Sequence, residues 1–138
     1  TKKMSKSEIS DLSRINLKDD KDLIINKIKK AKTDTLPLPS SIEELKERPE
    51  AKNLLEIYSS LTESTLERSI KNFEGKNFSE FKDNLSQVLV ERINPISVEI
   101  KKLINDNDFL DKILLDGYQK ANNIASKKIK KMREIVGF

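Results

Sequence analysis

Apolar residues recur along this chain at intervals of three and four, the spacing of one face of an α-helix. Leu23, Ile24, Ile28 and Ala31 form such a stripe over about residues 19–32. It opens on the acidic pair Asp19 and Asp20 and closes on Lys29, Lys30 and Lys32, charges placed as the helix dipole favours. Residues 33–48 hold Pro37, Pro39 and the pair Ser40-Ser41, the composition of an exposed connector with at most one helical turn near 41–47. Pro49 suits a first helical position, and Ala51, Leu54, Leu55, Tyr58 and Leu61 predict the inward face of a helix running to about Ser60. Ser64-Thr65-Leu66-Glu67 supplies a capping-box pattern for a short helix bearing Leu66, Ile70 and Phe73, stopped at Gly75.

From about Ser79, one face carries Phe81, Leu85, Val88, Leu89, Arg92, Ile96, Ile100 and Leu103, with a kink expected between Arg92 and Pro95. Asn105-Asp106-Asn107 is a polar break. Beyond it Leu110, Ile113, Leu114, Ala121, Ile124, Ala125, Met132, Ile135 and Val136 mark a long last helix whose stripe reads as core. No segment alternates as a strand does, and no internal repeat is visible. The pattern predicts an all-α chain, a bundle of four or five helices over residues 18–138, preceded by an irregular lysine-rich segment over residues 1–17. The first helix is either part of that bundle or a connector.

Composition narrows the chemistry. The 138 residues contain no Cys and no His, which excludes disulfides, thiolate or histidine metal sites and the Ser-His-Asp and Cys-His catalytic sets within this chain. Catalysis involving it must therefore be electrostatic. No apolar run approaches a membrane span and no signal-peptide pattern is present, so a cytoplasmic setting is the default expectation. The chain opens at Thr1 with its most telling motif two residues later, which predicts a piece of a longer protein.

That motif is Lys3-Met4-Ser5-Lys6-Ser7. Two lysines held close together, each followed by or beside a small hydroxyl, offer ammonium donors able to follow negative charge as it develops on a leaving phosphate. A solvated lysine-rich tail is the plain alternative. The pentapeptide resembles the mobile lysine loop of class I aminoacyl-tRNA synthetases. Ser13-Arg14-Ile15-Asn16-Leu17 with Asp19-Asp20, Ile28-Lys29-Lys30-Ala31-Lys32-Thr33-Asp34, Arg48 through Tyr58, Phe78 with Phe81-Lys82, Pro95-Ile96 and Ile135 through Phe138 extend the likeness, in order, to bacterial tryptophanyl-tRNA synthetases. One departure is Glu8-Ile9, where that family usually has Asp-Pro.

The resemblance implies an enzyme that activates tryptophan with ATP and Mg2+, releases pyrophosphate and charges tRNA(Trp), working as a homodimer. Lys3 and Lys6 would bind the ATP phosphates, Ser5 and Ser7 would position the loop, and Met4 would act as its apolar pin. The helical body would bind tRNA. With no Gly-rich phosphate turn and no parallel-sheet pattern, the chain alone is expected to be catalytically incomplete. A tyrosyl-tRNA synthetase fragment, a non-enzymatic helical RNA-binding module and a regulatory bundle docking a protein through residues 19–32 remain as alternatives.

Charge is unevenly spread. Residues 43–92 hold eight basic against eleven acidic side chains, a local net of −3, whereas residues 118–138 hold six against one, a net of +5. Within the basic block Lys127, Lys130, Lys131 and Arg133 are candidate contacts to a nucleic-acid backbone, a role whose affinity falls with salt. A merely solvated helix face is the other reading of the same block.

Overall fold

In the computed structural model, residues 10–137 are described; they contain five α-helices and no strand. Helix α1 spans Lys21–Lys30, α2 Pro49–Leu61, α3 Leu66–Phe73, α4 Phe78–Asn105 and α5 Asn107–Val136, with short 3-10 turns at Asp11–Ser13 and Glu43–Glu47. The all-α expectation is met. The chain divides into two compact units, residues 1–98 and 99–138. No helix among the described residues is long and apolar enough to cross a membrane.

The helix ends follow from local chemistry. Asp20 is the N-cap of α1, its carboxylate accepting from the Leu23 N–H at 2.9 Å. Pro49 opens α2, where its missing N–H leaves no gap. The α3 cap is Thr65, which accepts from the Arg68 N–H at 3.3 Å, one residue later than the Ser64 capping box predicted. Ser64 is diverted into a hydroxyl chain: its Oγ lies 2.9 Å from Ser69 Oγ and 2.9 Å from Thr62 Oγ1, and Ser59 Oγ donates to Ser69 Oγ at 2.8 Å. Gly75 ends the α3 turn with φ of +70°, a left-handed conformation that favours glycine.

In the first unit, Ile24 and Ile28 of α1 share a core with Ala51, Leu54 and Leu55 of α2, Ile70 and Phe73 of α3, and Phe78, Phe81, Leu85 and Leu89 of α4. Tyr58, Phe73 and Phe81 form an aromatic cluster, with the Tyr58–Phe73 and Phe73–Phe81 centroids 5.0 and 4.9 Å apart in edge-to-face geometry. The connector over 33–48 departs from the exposed strap expected. Leu38, Pro39 and Leu45 are buried, and Leu38 exchanges backbone hydrogen bonds with the α3–α4 turn, its N–H to Lys76 O at 2.8 Å and its carbonyl from Gly75 N–H at 3.2 Å. Pro39 carries no N–H that burial would leave unsatisfied, and the Leu38 N–H and carbonyl are both paired, so this stretch is covered at little polar cost.

Along α4 the inward row keeps a strict interval of four: Phe81, Leu85 and Leu89 are buried, Ile93 packs against the core and Ser97 is buried. The expected continuation through Ile96 does not hold, since Ile96 is exposed. The helix runs through Pro95, which has no N–H for the Glu91 carbonyl.

In the second unit, α5 is capped by Asp106, which accepts from the Phe109 N–H at 3.0 Å, and ends at Gly137, φ +88°, whose N–H reaches Arg133 O at 2.9 Å. None of its residues is buried, so its apolar stripe is not core in this chain, contrary to expectation: Leu114, Ile124, Met132 and Ile135 are all exposed. Helical periodicity reports that one face is apolar; it does not report what covers it.

The asymmetry between the two units predicts unequal mutational costs. Phe81→Ala should destabilise the protein by about 3 to 5 kcal/mol, whereas Leu114→Ser should change folding stability by less than about 0.5 kcal/mol. Urea unfolding followed by far-UV circular dichroism measures both; comparable losses would contradict this packing.

Candidate functional site

Residues 3–7, which carry the lysine motif, lie outside the described residues, so Lys3, Met4, Ser5, Lys6 and Ser7 have no structural account here. What is described begins immediately downstream, and it is a dense polar cluster. Lys27, on the inward face of α1 between Ile24 and Ile28, has a side chain only 1% exposed. Its ammonium donates to Asp19 Oδ2 and to Asp11 Oδ2, each at 2.6 Å. Asn16 donates its side-chain amide to both Asp11 oxygens at 2.9 Å, and its backbone N–H to Asp19 Oδ2 at 2.9 Å. A backbone bond from Asp19 N–H to Asn16 O at 3.0 Å closes the turn between them. Arg14 completes the set, its Nε 2.8 Å from Asp11 Oδ1.

Two carboxylates thus meet two cations, and the cluster is neutral. That balance is what permits a lysine to be buried, since an isolated ammonium in an apolar environment is strongly disfavoured. Burial is the largest influence on Lys27 and pulls its pKa down. The hydrogen bonds and charges of Asp11 and Asp19 together outweigh it, leaving a net rise above 10.5. At Asp11 the hydrogen bond from Lys27, then that from Asn16, holds the carboxyl at about 2, against an ordinary value of 3.8.

Two further clasps order the segment after α1. Asp34 is gripped in a fork by Arg48, Nε to Oδ2 at 2.9 Å and an η-nitrogen to Oδ1 at 2.7 Å, and this hydrogen bonding lowers the Asp34 pKa. The same guanidinium lies 5.8 Å from the Phe78 ring centroid. Lys82 of α4 donates to Ala31 O at 2.7 Å and to Thr33 Oγ1 at 3.1 Å, placing a cation at the C-terminal end of α1, where free carbonyls and the helix dipole favour it. Burial lowers its pKa.

The basic candidates Lys127, Lys130, Lys131 and Arg133 are all exposed on α5. Lys127, Lys130 and Lys131 stand at intervals of three and four and share a face, with Arg133 turned aside from Lys131 by two residues. None of the four forms an ion pair with another of the described residues. Near them Ile129, Met132 and Val136 line a shallow apolar depression of about 240 Å3.

Asp11 and Lys27 escaped the sequence reading, and Asp19 was assigned to the helix dipole where it is in fact an ion-pair partner. A signal was present: Lys27 falls three residues after Ile24 and next to Ile28, on the face the stripe predicts to be buried, where a lysine needs a partner.

The stretches that carried the resemblance, Arg14 to Asp19, Thr33-Asp34 with Arg48, and Lys82, are therefore the polar clasps of the first unit. Residues 1–94 match the family described as tRNA synthetases class I (W and Y), and the chain belongs to that family. Among its relatives, the tryptophan–tRNA ligase of Brucella melitensis is 48% identical over 138 residues, covering 100% of this chain and 39% of that protein. That of Rickettsia felis is 50% identical over 137 residues, 99% of this chain and 41% of that protein, and that of Agrobacterium fabrum is 49% identical over 138 residues. The chain spans 39 to 41% of the length of these relatives.

The pKa directions set a pH window. Asp11 lies below its unfolded value, so the stability it contributes is complete above about pH 4 and is lost as pH falls toward 2. Lys27 lies above its unfolded value, so its contribution is complete below pH 10.5 and is lost only as pH rises past the elevated folded value. Carbon-13 NMR titration of the Asp11 carboxyl should give a midpoint near 2, moving toward 3.8 in Lys27→Met. An ordinary midpoint in the parent would contradict the cluster.

Proposed function

We propose that this chain works as the C-terminal part of a tryptophan–tRNA ligase, an ATP-dependent enzyme. The observation that carries the reading is identity near half over the whole chain to proteins named tryptophan–tRNA ligase. In the reaction, a carboxylate oxygen of tryptophan attacks the α-phosphorus of ATP, taken as its Mg2+ complex. The bond from that phosphorus to the bridging oxygen breaks, and pyrophosphate leaves with the electron pair. A terminal ribose hydroxyl of tRNA(Trp) then attacks the carbonyl carbon of the adenylate and loses its proton, the bond from that carbon to the phosphate oxygen breaks, and AMP leaves with the electron pair.

No proton transfer is needed for the first step, which suits a chain without His. Lys3 and Lys6 stabilise the charge that gathers on the departing pyrophosphate, with Ser5 and Ser7 steadying the loop and Met4 pinning it. The helical body, residues 18–138, binds tRNA, with Lys127, Lys130, Lys131 and Arg133 of α5 as backbone contacts. The enzyme acts in the cytoplasm as a homodimer. A tyrosine enzyme shares the family description, but the three relatives above act on tryptophan by name, and the tryptophan reading is therefore preferred.

ATP–pyrophosphate exchange in the full-length protein tests this. Lys3→Ala with Lys6→Ala should lower tryptophan-dependent exchange by about 100-fold or more. The 138-residue chain by itself should show none. Full exchange by the doubly substituted enzyme, or tryptophan-dependent exchange by the chain alone, would overturn the reading.

A further inference from the structure

Lys27 has the lowest exposure of any charged residue described, 2%, and its position is not one that stability alone requires. Buried ion pairs add little net stability relative to well-packed apolar groups of the same volume; their best-attested use is to fix register. Here the register in question joins helix α1 through Lys27, the Asn16–Asp19 turn and the 3-10 turn at Asp11, a segment whose apolar contact with the core is made by Ile15. Asp11 itself is half exposed, so it is held by charge and hydrogen bonds and not by packing.

Asp11 is also the charged anchor nearest in sequence to the lysine motif among the described residues. Three residues separate it from Ser7. Among the described residues, Asp11 is thus the first charged anchor behind the motif, and Lys27 holds it.

We propose that Lys27 is a positioning residue for adenylate formation: by holding Asp11 and Asp19 in one buried cluster, it fixes where the lysine motif leaves the helical body. Lys27 touches no substrate and acts only through the segment it anchors. The proposal rests on the reading of residues 3–7 as the phosphate-binding loop. Misplacing charged donors by about an ångström is sufficient to cost up to roughly 100-fold in rate.

The test uses the full-length enzyme and compares Lys27→Met, Lys27→Arg and Asp11→Asn with the parent in ATP–pyrophosphate exchange, each normalised to folded protein by circular dichroism. Lys27→Met should reduce kcat/KM for ATP at least about 10-fold while leaving KM for tryptophan within about twofold. Lys27→Arg should recover most of the loss. Asp11→Asn removes only a surface arm, so it should fold even if Lys27→Met does not, and should shift kcat/KM for ATP in the same direction by a smaller factor. Parent-like ATP parameters in Asp11→Asn together with either a parent-like or an unfolded Lys27→Met would overturn the proposal. So would equal losses for ATP and tryptophan, the mark of a merely structural role. If Lys3→Ala with Lys6→Ala also leaves exchange unchanged, the loop reading falls with it. If those lysine substitutions abolish exchange while the Lys27 and Asp11 variants do not alter it, the positioning role alone is wrong.

Discussion

A lysine ammonium held between two aspartates at 2.6 Å, out of reach of water, is the constraint on which the start of this structure depends. The apolar face of α1 would bury on its own, but it would not select which residues of the preceding segment lie against it. Placing a charge on that face changes the problem. The helix can bury it where carboxylates arrive to meet it, and among the described residues the segment before α1 brings two of them, Asp11 and Asp19. Asn16 supports both carboxylates and Arg14 balances the second, so the arrangement satisfies each partner without a net charge left over.

The same device recurs through the first unit. The fork between Arg48 and Asp34 closes the connector, and Lys82 ties α4 to the carbonyl end of α1. The hydroxyl chain of Ser59, Ser69, Ser64 and Thr62 seals the α2–α3 corner. Apolar burial supplies the driving force, through the Tyr58, Phe73 and Phe81 cluster and its aliphatic surround. Direction and register come from these few polar contacts. This division suits a domain whose proposed task is to present the lysine motif at a defined place.

Legibility in the sequence tracked the range of the interaction. Helix ends set by one residue's own chemistry, Asp20, Pro49, Gly75 and the Asn105-Asp106-Asn107 break, lie where the pattern puts them. The core row of Phe81, Leu85 and Leu89 was readable from its spacing, and the two phenylalanines placed on apolar stripes, Phe73 and Phe81, are core. Contacts between distant residues were not readable. Lys27 and Asp11 are sixteen residues apart, and nothing local announces their meeting beyond a lysine in the wrong face. Thr65 displaced Ser64 as cap because Ser69, across a turn, competes for the Ser64 hydroxyl. The buried connector depended on a partner in the α3–α4 turn, and periodicity alone could not report that the apolar stripe of α5 is exposed. The lysine motif was the clearest chemical signal in the sequence and belongs to residues outside those described, so its assignment rests on kinship.

One buried cation holds the segment after the lysine motif to α1. Amide hydrogen exchange on the full-length protein, comparing the parent with Lys27→Met, measures this most directly. The account predicts that amides of residues 10–20 lose protection in the variant, while those of α2 and α3 keep theirs. Unchanged protection across residues 10–20 would contradict it, and a uniform loss throughout the first unit would show that Lys27 serves general stability and not the placement of this segment.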